Sequence, residues 1–467
     1  MITGRCTSNP QRLAQWLSLL LNPSGETEKR GGFTAGIPVR DSLTDLPAGS
    51  RVFVRADIDV SIESGKVTDR ARLENLRETI RFCTEHRFVP ILFGHVGRDP
   101  QATAAPIADA LTDLYRAPVH FVADWFDIKR GTITPSCSET VHRAEPGEFV
   151  LLENTRRYPF ERALWRVDPG SLERVAGELD RIAVAFCSVL VGAYLFDAIA
   201  ASNLDWSSTV LPLYMDRIAL ADEIRDEFRA HIEDACRSEV IIFSGAKMDK
   251  LDDLEEIVNH DWIKLVIIGG AIAMPFVKAS TEKGEASLGL AENEMHRKEG
   301  YFVSAERVTQ ARRILTSARE QRIEVVLPVD FALDDGSVRQ SVPQDRLQFD
   351  AGPQTLARIE AMLLSFLEKR GGGEGVKIFY NGVFGKFEDD RFGEGTRRMI
   401  RLLKTLTDRG AKTYVGGGEG LIALQKYGAI SWVTHAFTAG GTILKAMSGR
   451  PISYLRSLQE HTRSRES

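Results

Sequence analysis

Long apolar runs are scarce in this 467-residue chain. The uncharged stretch Ile182–Phe196 is 15 residues long and stops at Asp197. A bilayer-spanning helix needs about 20 apolar residues, so this stretch reads as a buried strand with a flanking helix. The apolar patch nearest the start, Trp16–Leu21, is too short for the core of a secretory signal, and none is expected. Cysteine is also sparse. Cys6, Cys83, Cys137, Cys187 and Cys236 are odd in number, widely spaced and form no C-x-x-C. That excludes a disulfide scaffold, speaks against a zinc site, and predicts free thiols in a reducing cytoplasm. Charge of one sign is lacking too: 60 Lys+Arg stand against 65 Asp+Glu, for a net charge of −5. No general affinity for nucleic acid or anionic membrane is expected, although a local basic pocket for a small anion remains open. No G-x-x-x-x-G-K-[ST] occurs, so the chain has no P-loop.

What is present is strand–helix alternation. Near-continuously apolar runs recur at Arg51–Ile58, Val89–Val96, Glu148–Leu152, Ala193–Phe196, Val240–Phe243, Leu265–Ile268, Glu324–Val329, Lys377–Tyr380, Lys412–Val415 and Ser431–Val433. Such runs fit parallel strands covered on both faces. Between them Leu73–Arg87, Leu356–Leu367 and Arg397–Leu406 carry helical spacing. The pattern predicts an α/β protein with two Rossmann-like domains, parallel sheets and right-handed crossovers. Tyr214–Ala235, charged and free of Gly and Pro, reads as an interdomain helix. The expected division is an N-terminal extension over 1–36 with a mobile connector, a domain over 37–211, a hinge over 212–236, a second domain over 237–440 and a tail over 441–467 that returns to the first domain.

Glycines punctuate the strand ends of the second half: Gly245-Ala246-Lys247, Gly269-Gly270, Asn381-Gly382 and Gly416-Gly417-Gly418-Glu419-Gly420. Ligands of open parallel sheets sit beyond the carboxyl ends of the strands. Glycine there lets backbone approach a phosphate, and the following helix offers free N–H groups. The first half places other chemistry at its strand ends. Asp57 and Asp59 follow one strand, with Arg72 beyond a hairpin-like turn. His95 and Arg98 follow the next strand, and Arg156 and Arg157 a later one. Basic residues gathered in this way make an anion pocket.

These stretches, in order from about residue 40 to 456, resemble the phosphoglycerate kinase family. Arg55-Ala-Asp57 is similar to its R-x-D strand, Gly94-His95-Val-Gly-Arg98 to S-H-x-G-R, and Leu151-Leu-Glu153-Asn154-Thr-Arg156 to L-E-N-x-R. Gly245-Ala246-Lys247 is similar to G-A-K, Leu327-Pro-Val-Asp330 to L-P-x-D, and Asp350-Ala-Gly-Pro353 to D-x-G-P. Asn381-Gly382 through Glu388, Gly416-Gly417-Gly418 and Thr438-Ala-Gly-Gly441 are similar to the remaining glycine motifs. The resemblance implies an acid-binding N-lobe and a Mg²⁺-nucleotide C-lobe facing a cleft. It implies phosphoryl transfer between ATP and the carboxylate of 3-phosphoglycerate or a related small acid, in a cytoplasmic, monomeric glycolytic kinase. By residue, it implies catalytic roles for Arg72, Lys247 and Lys250. It implies acid binding by Asp57, Asp59, Arg72, His95, Arg98, Arg156 and Arg157. ATP or ADP would be held by Gly245, Ala246, Lys247, Gly269, Gly270, Asn381, Glu388, Gly416, Gly417, Gly418, Glu419 and Gly420, with Glu419 on the metal.

The chain departs from the family at its ligand sites. Leu204 stands where the family has an arginine that holds the 3-phosphate, and Asn203 where it has histidine. Arg157, in place of an aromatic residue, is a candidate to compensate. Asp59 replaces an asparagine beside the substrate hydroxyl. Glu419 replaces the metal-binding aspartate, Gly420 a Ser/Thr and Val383 a proline. Lys250 follows Lys247 by three residues, where the family spaces its second lysine by four. Three readings stay open: a glycolytic phosphoglycerate kinase, a paralogue that phosphorylates another carboxylic acid, and a non-catalytic protein that binds nucleotide or acid for regulation.

Overall fold

A computed structural model describes residues 7–22, 32–281 and 286–466. The chain divides into two units, Met1–Ala230 with Pro451–Ser467, and His231–Arg450.

The first unit is built on six strands: β1 (Arg51–Ala56), β2 (Val89–Phe93), β3 (Val119–Val122), β4 (Phe149–Leu152), β5 (Ala193–Asp197) and β6 (Arg217–Leu220). They form one sheet in the order β6-β5-β1-β2-β4-β3, with every pairing parallel. All residues of β2, β4 and β5 are buried, as apolar sequences (broken only by Asp197 at the end of β5) require of strands covered on both faces. Two of the six strands fall outside the expected runs. β3 is only partly buried, so its Val-His-Phe-Val sequence carries no continuous apolar signal. β6 lies inside Tyr214–Ala235, so the expectation of one helix there is corrected: an edge strand comes first, and helix begins at Asp222. Parallel pairing to β5 overrides helix propensity in Arg-Ile-Ala-Leu. The helical stretch then continues through a π turn, Phe228–Ile232, in which the division between units falls.

Both termini contribute to the first unit. Asn9 caps the helix Pro10–Leu21, whose Leu13 and Leu17 are buried, and Asp180 accepts from the Asn9 N–H at 2.8 Å. Much of the connector expected over 22–36 lies outside the described residues. The helix Ser453–Glu466 places Tyr454 against Phe196, with ring centroids 4.1 Å apart, and Ser457 Oγ donates to the Thr209 carbonyl.

The second unit has β7 (Val240–Phe243), β8 (Leu265–Ile268), β9 (Glu324–Val326), β10 (Lys377–Asn381), β11 (Lys412–Gly416) and β12 (His435–Ala436). The order is β9-β8-β7-β10-β11-β12, all parallel. Strand order reverses between β7 and β10, which opens a ligand crevice at their carboxyl ends. β9 stops before Leu327-Pro328 because proline has no N–H for the ladder. Ile430–Trp432 is a 3₁₀ turn rather than the expected strand, which forms instead at His435. A small antiparallel sheet, Phe331–Leu333, Val338–Arg339 and Gln348–Ala351, was not legible in the apolar pattern. Among the described residues no helix is long and apolar enough to cross a membrane.

Candidate active site

In the first unit the carboxyl ends of β1, β2 and β4 bring Asp57, Asp59, Arg72, His95 and Arg156 into one connected network, but not Arg98. Asp57 follows β1, and its N–H is fixed on the Asp197 carbonyl at the end of β5 (3.1 Å). Arg72 donates to Asp57 Oδ1 at 2.8 Å and lies 3.9 Å from Asp59 Oδ2. Asp59 Oδ1 accepts from the Gly97 N–H (2.7 Å), which ties it to the turn after β2. Its Oδ2 lies 3.6 Å from His95 Nε2. Burial pushes the Asp59 carboxyl up, but His95, the Gly97 amide and Arg72 together outweigh burial and hold it well below the usual range.

His95 is nearly buried. Its Nδ1 faces Arg55 Nη2 at 3.1 Å. Arginine only donates, so Nδ1 is the acceptor and the imidazole proton sits on Nε2, toward Asp59. Burial, with Arg55 and Arg156 adding to it, lowers the His95 pKa and favours the neutral ring. Asn154, at the end of β4, holds the neighbouring loops. Its amide donates to the Val96 and Ala102 carbonyls, and its Oδ1 accepts from the Val96 and Arg156 N–H groups. Arg156 is thereby presented to the Gly97 carbonyl, to which Nη1 donates at 2.7 Å.

Two residues of this network, Asp205 and Trp165, were not singled out from sequence, and Arg55 entered only through the R-x-D resemblance, with no role assigned. Arg55 is wholly buried in β1 and donates to Ser207 and the Ala56 carbonyl. Asp205 is wholly buried 3.7 Å from Arg55 and 3.8 Å from Arg156. Trp165 donates from its indole N–H to Asp205 Oδ1 at 2.9 Å, and its ring lies 5.0 Å from the Arg156 guanidinium carbon. A charged residue inside an apolar strand run was the available signal for Arg55; pattern gives none for the other two. Arg157 donates to buried Glu153 at 2.8 Å. It is therefore engaged by this chain's own carboxylate at the position from which it was expected to compensate for Leu204. Arg98 is exposed and, among the described residues, has no carboxylate within ion-pair distance.

Asp197 lies under this network, wholly within the sheet. Burial pushes its carboxyl up to about 7; Glu223 and Asp57 add to that, while Thr79 and Arg40 oppose it. The folded state therefore binds a proton that the unfolded chain has already released. Stability from this group falls as pH rises from about 4 to 7, by an amount on the order of 4 kcal/mol, and is level above. Asp197→Asn, which cannot ionise, is expected to flatten the pH dependence of first-unit unfolding across that window. Urea midpoints at pH 5 and pH 8 read the difference, and an unchanged slope would show that Asp197 ionises normally.

In the second unit the switch between β7 and β10 carries the nucleotide candidates. Ser244 N–H donates to the Asn381 carbonyl at 2.8 Å, locking the two strand ends together. Gly245, Gly270, Gly382 and Gly417 all have positive φ. A Cβ on Gly270 would stand 2.7 Å from the Gly245 backbone. Lys250 is the first residue of the helix Lys250–Ile257, and its ammonium donates to the Ser244 carbonyl at 3.3 Å. Around Gly245, the position of a Cβ lies 3.1 Å from Lys250 Nζ and 3.6 Å from Glu419 Oε2. Glu419 Oε1 is 3.8 Å from Lys247 Nζ. The spacing of three residues thus does not remove the second lysine from the cluster. Burial lowers the Lys250 pKa and Lys247 adds to the effect, while Glu419 opposes it. Beside this cluster the buried Asn381 Oδ1 has no hydrogen-bond partner among the described residues. The helix Gly418–Tyr427 begins here, and the first amides of a helix have no partner within it.

Other nucleotide candidates have packing reasons for their identity. A Cβ on Gly269 would stand 2.3 Å from the Phe384 ring, and one on Gly420 3.1 Å from Val415. Ala246 is exposed beside Lys247, and Glu388 is exposed beyond buried Phe387.

The family model for phosphoglycerate kinase matches residues 43–450. A phosphoglycerate kinase from Synechococcus sp. (strain JA-2-3B'a(2-13)) is 27% identical over 443 residues, covering 88% of this chain and 96% of the relative. One from Candida glabrata is 27% identical over 433 residues, covering 88% and 95%. Among solved structures, phosphoglycerate kinase from Pyrococcus horikoshii OT3 matches with a TM-score of 0.66 at 23% identity, covering 89% of this chain and 97% of that one. The Coxiella burnetii enzyme matches with a TM-score of 0.64 at 23% identity, covering 90% and 98%. The two parallel six-stranded sheets agree with that likeness of fold.

Proposed function

The chain belongs to the phosphoglycerate kinase family, and from that premise we propose that it is a kinase that moves a phosphoryl group between ATP and the carboxylate of a small acid. The observation that carries the reading is the cluster of Lys247, Lys250 and Glu419 around Gly245, with unpartnered Asn381 Oδ1 beside it, at the switch point of the second sheet. Two ammonium groups and a helix start meet where a triphosphate would lie.

In the forward direction a carboxylate oxygen of the acid attacks the γ-phosphorus. The bond from phosphorus to the β,γ-bridging oxygen breaks, ADP leaves and an acyl phosphate forms. The nucleophile is already anionic, so no general base is required; positioning and charge neutralisation do the work. Lys247 and Lys250 hold the phosphate oxygens, and the backbone at Gly416–Gly418 supplies N–H donors. Arg72, from the acid-binding unit, stabilises the group in transfer.

A carboxylate beside two lysines at a phosphate site fits a nucleotide-bound Mg²⁺. Glu419 would hold it, and the ion would neutralise charge on the β- and γ-phosphates.

Turnover of ATP and Mg²⁺ with carboxylic acids, 3-phosphoglycerate first, is read by trapping the product as a hydroxamate. Lys247→Ala is expected to lower kcat by at least about 100-fold, the scale of removing one transition-state donor. ATP binding in a direct titration without hydroxamate from any acid would overturn phosphotransfer and leave a binding protein.

A further inference from the structure

The first unit carries a segment that the family match does not reach: residues 7–22 lie before residue 43, where the match begins. We propose that this segment is a strap, a helical peptide seated on a binding surface of the first unit, and that its seating governs the order of Asp205–Val210. A helix as short as Pro10–Leu21 is marginal alone in water, so it owes its structure to what it packs on. It packs on the helix Leu172–Val189 and buries Leu13 and Leu17. Its start is held by one buried carboxylate. Asp180 Oδ2 accepts from Ser8 Oγ at 2.5 Å, and Oδ1 from the Asn9 N–H at 2.8 Å. Arg12 lies 3.6 Å from Glu460 of the C-terminal helix. The segment is therefore either seated and helical or unseated and unfolded.

Both helices that the strap touches hold the same stretch of chain. Asp180 also accepts from the Tyr214 hydroxyl at 2.7 Å, and Tyr214 closes the turn Leu211–Tyr214. One residue earlier, the Leu179 carbonyl accepts from the Trp206 indole N–H at 3.4 Å. From the C-terminal helix, Ser457 Oγ donates to the Thr209 carbonyl at 2.7 Å. Asp205–Val210 is thus gripped at Trp206, at Thr209 and just beyond Val210 by the two elements that the strap ties together. Within it the Asp205 carbonyl accepts from the Ser208 and Thr209 N–H groups, and the Asp205 carboxylate faces Arg55 and Arg156. Unseating the strap takes the Ser8 and Asn9 donors from Asp180 and opens the apolar surface beside it to water. The cost falls on the turn of helix that grips Trp206 and Tyr214, which couples strap to segment. Nothing in this coupling depends on phosphotransfer.

Amide hydrogen exchange of the full chain tests this, comparing the parent with Asn9→Ala and Leu17→Asp. Asn9→Ala removes the helix cap and is expected to speed exchange over Pro10–Leu21 by about fivefold. Leu17→Asp places a charge at a buried position of the strap and is expected to bring that exchange to the rate of an unfolded peptide. The amides of Ser208, Thr209 and Val210 should follow in the same order, by at least about tenfold in Leu17→Asp, while the second sheet stays as slow as in the parent. A synthetic peptide of residues 7–22 added to the Leu17→Asp chain should restore their protection, and the same peptide carrying Leu17→Asp should not. An unseated strap with Ser208–Val210 as slow as in the parent would overturn the proposal. So would a loosened segment that the peptide fails to restore, because the substitution would then have damaged the first unit directly. A strap that already exchanges at unfolded rates in the parent would overturn it as well.

Discussion

Arg72→Ala is expected to lower kcat by about 10³- to 10⁵-fold, the range for removing an arginine that stabilises a transferring phosphoryl group. The structure makes this a clean variant. Arg72 has 38% of its side chain exposed, and its principal partner is Asp57 at 2.8 Å. An ion pair this open contributes at most about 1 kcal/mol to stability, so the melting temperature should barely move. The nucleotide candidates lie in the other unit, so the ATP Kd should stay within about twofold. The loss should therefore appear in kcat with ATP binding intact. Arg72→Lys retains charge but not the planar fork and should recover only part of the rate. Rapid-quench or steady-state rates for the three proteins decide the matter: an alanine variant within tenfold of the parent would remove Arg72 from the transfer step.

The fold was legible where burial left a mark on composition. β2 and β4 are unbroken apolar sequences, and β1 and β5 are apolar but for Arg51, Arg55 and Asp197, because both faces are covered. β3 and β6 are edge strands, covered on fewer sides, and their sequences need not be apolar throughout. The site was legible as residue types at strand ends, and much less so as pairings. Glu153 and Arg157 stand four apart, a pairing spacing on a helix, but they lie at a strand end and a short 3₁₀ turn, so the sequence did not announce the pair. Asp205 and Trp165 are 40 positions apart and meet only through the fold. Lys250 shows the converse. It follows Lys247 by three residues rather than four, and its ammonium still lies on the Ser244 carbonyl, beside Gly245.

Glycine positions separate structural from ligand-directed roles, and two alanine substitutions should fall at opposite extremes. At Gly382, φ is +95° and a Cβ would stand 1.9 Å from the Ser244 carbonyl oxygen. Backbone cannot yield there as a flexible side chain can, because Ser244 is itself bonded to Asn381. Gly382→Ala should destabilise the second unit by more than about 3 kcal/mol and abolish ATP binding together with folding. At Gly418, φ is not positive and a Cβ meets no heavy atom within 4 Å. Alanine at this first helical position should leave stability unchanged or raise it by about 0.5–1 kcal/mol. If a triphosphate approaches the helix start, the added methyl stands in its way, and ATP affinity should fall at least tenfold in a correctly folded protein. Denaturant midpoints and nucleotide titrations of both variants give the two readouts separately. A Gly418→Ala protein that binds ATP as tightly as the parent would move the phosphates away from this helix. The glycine would then need another explanation, which the open space around it does not offer.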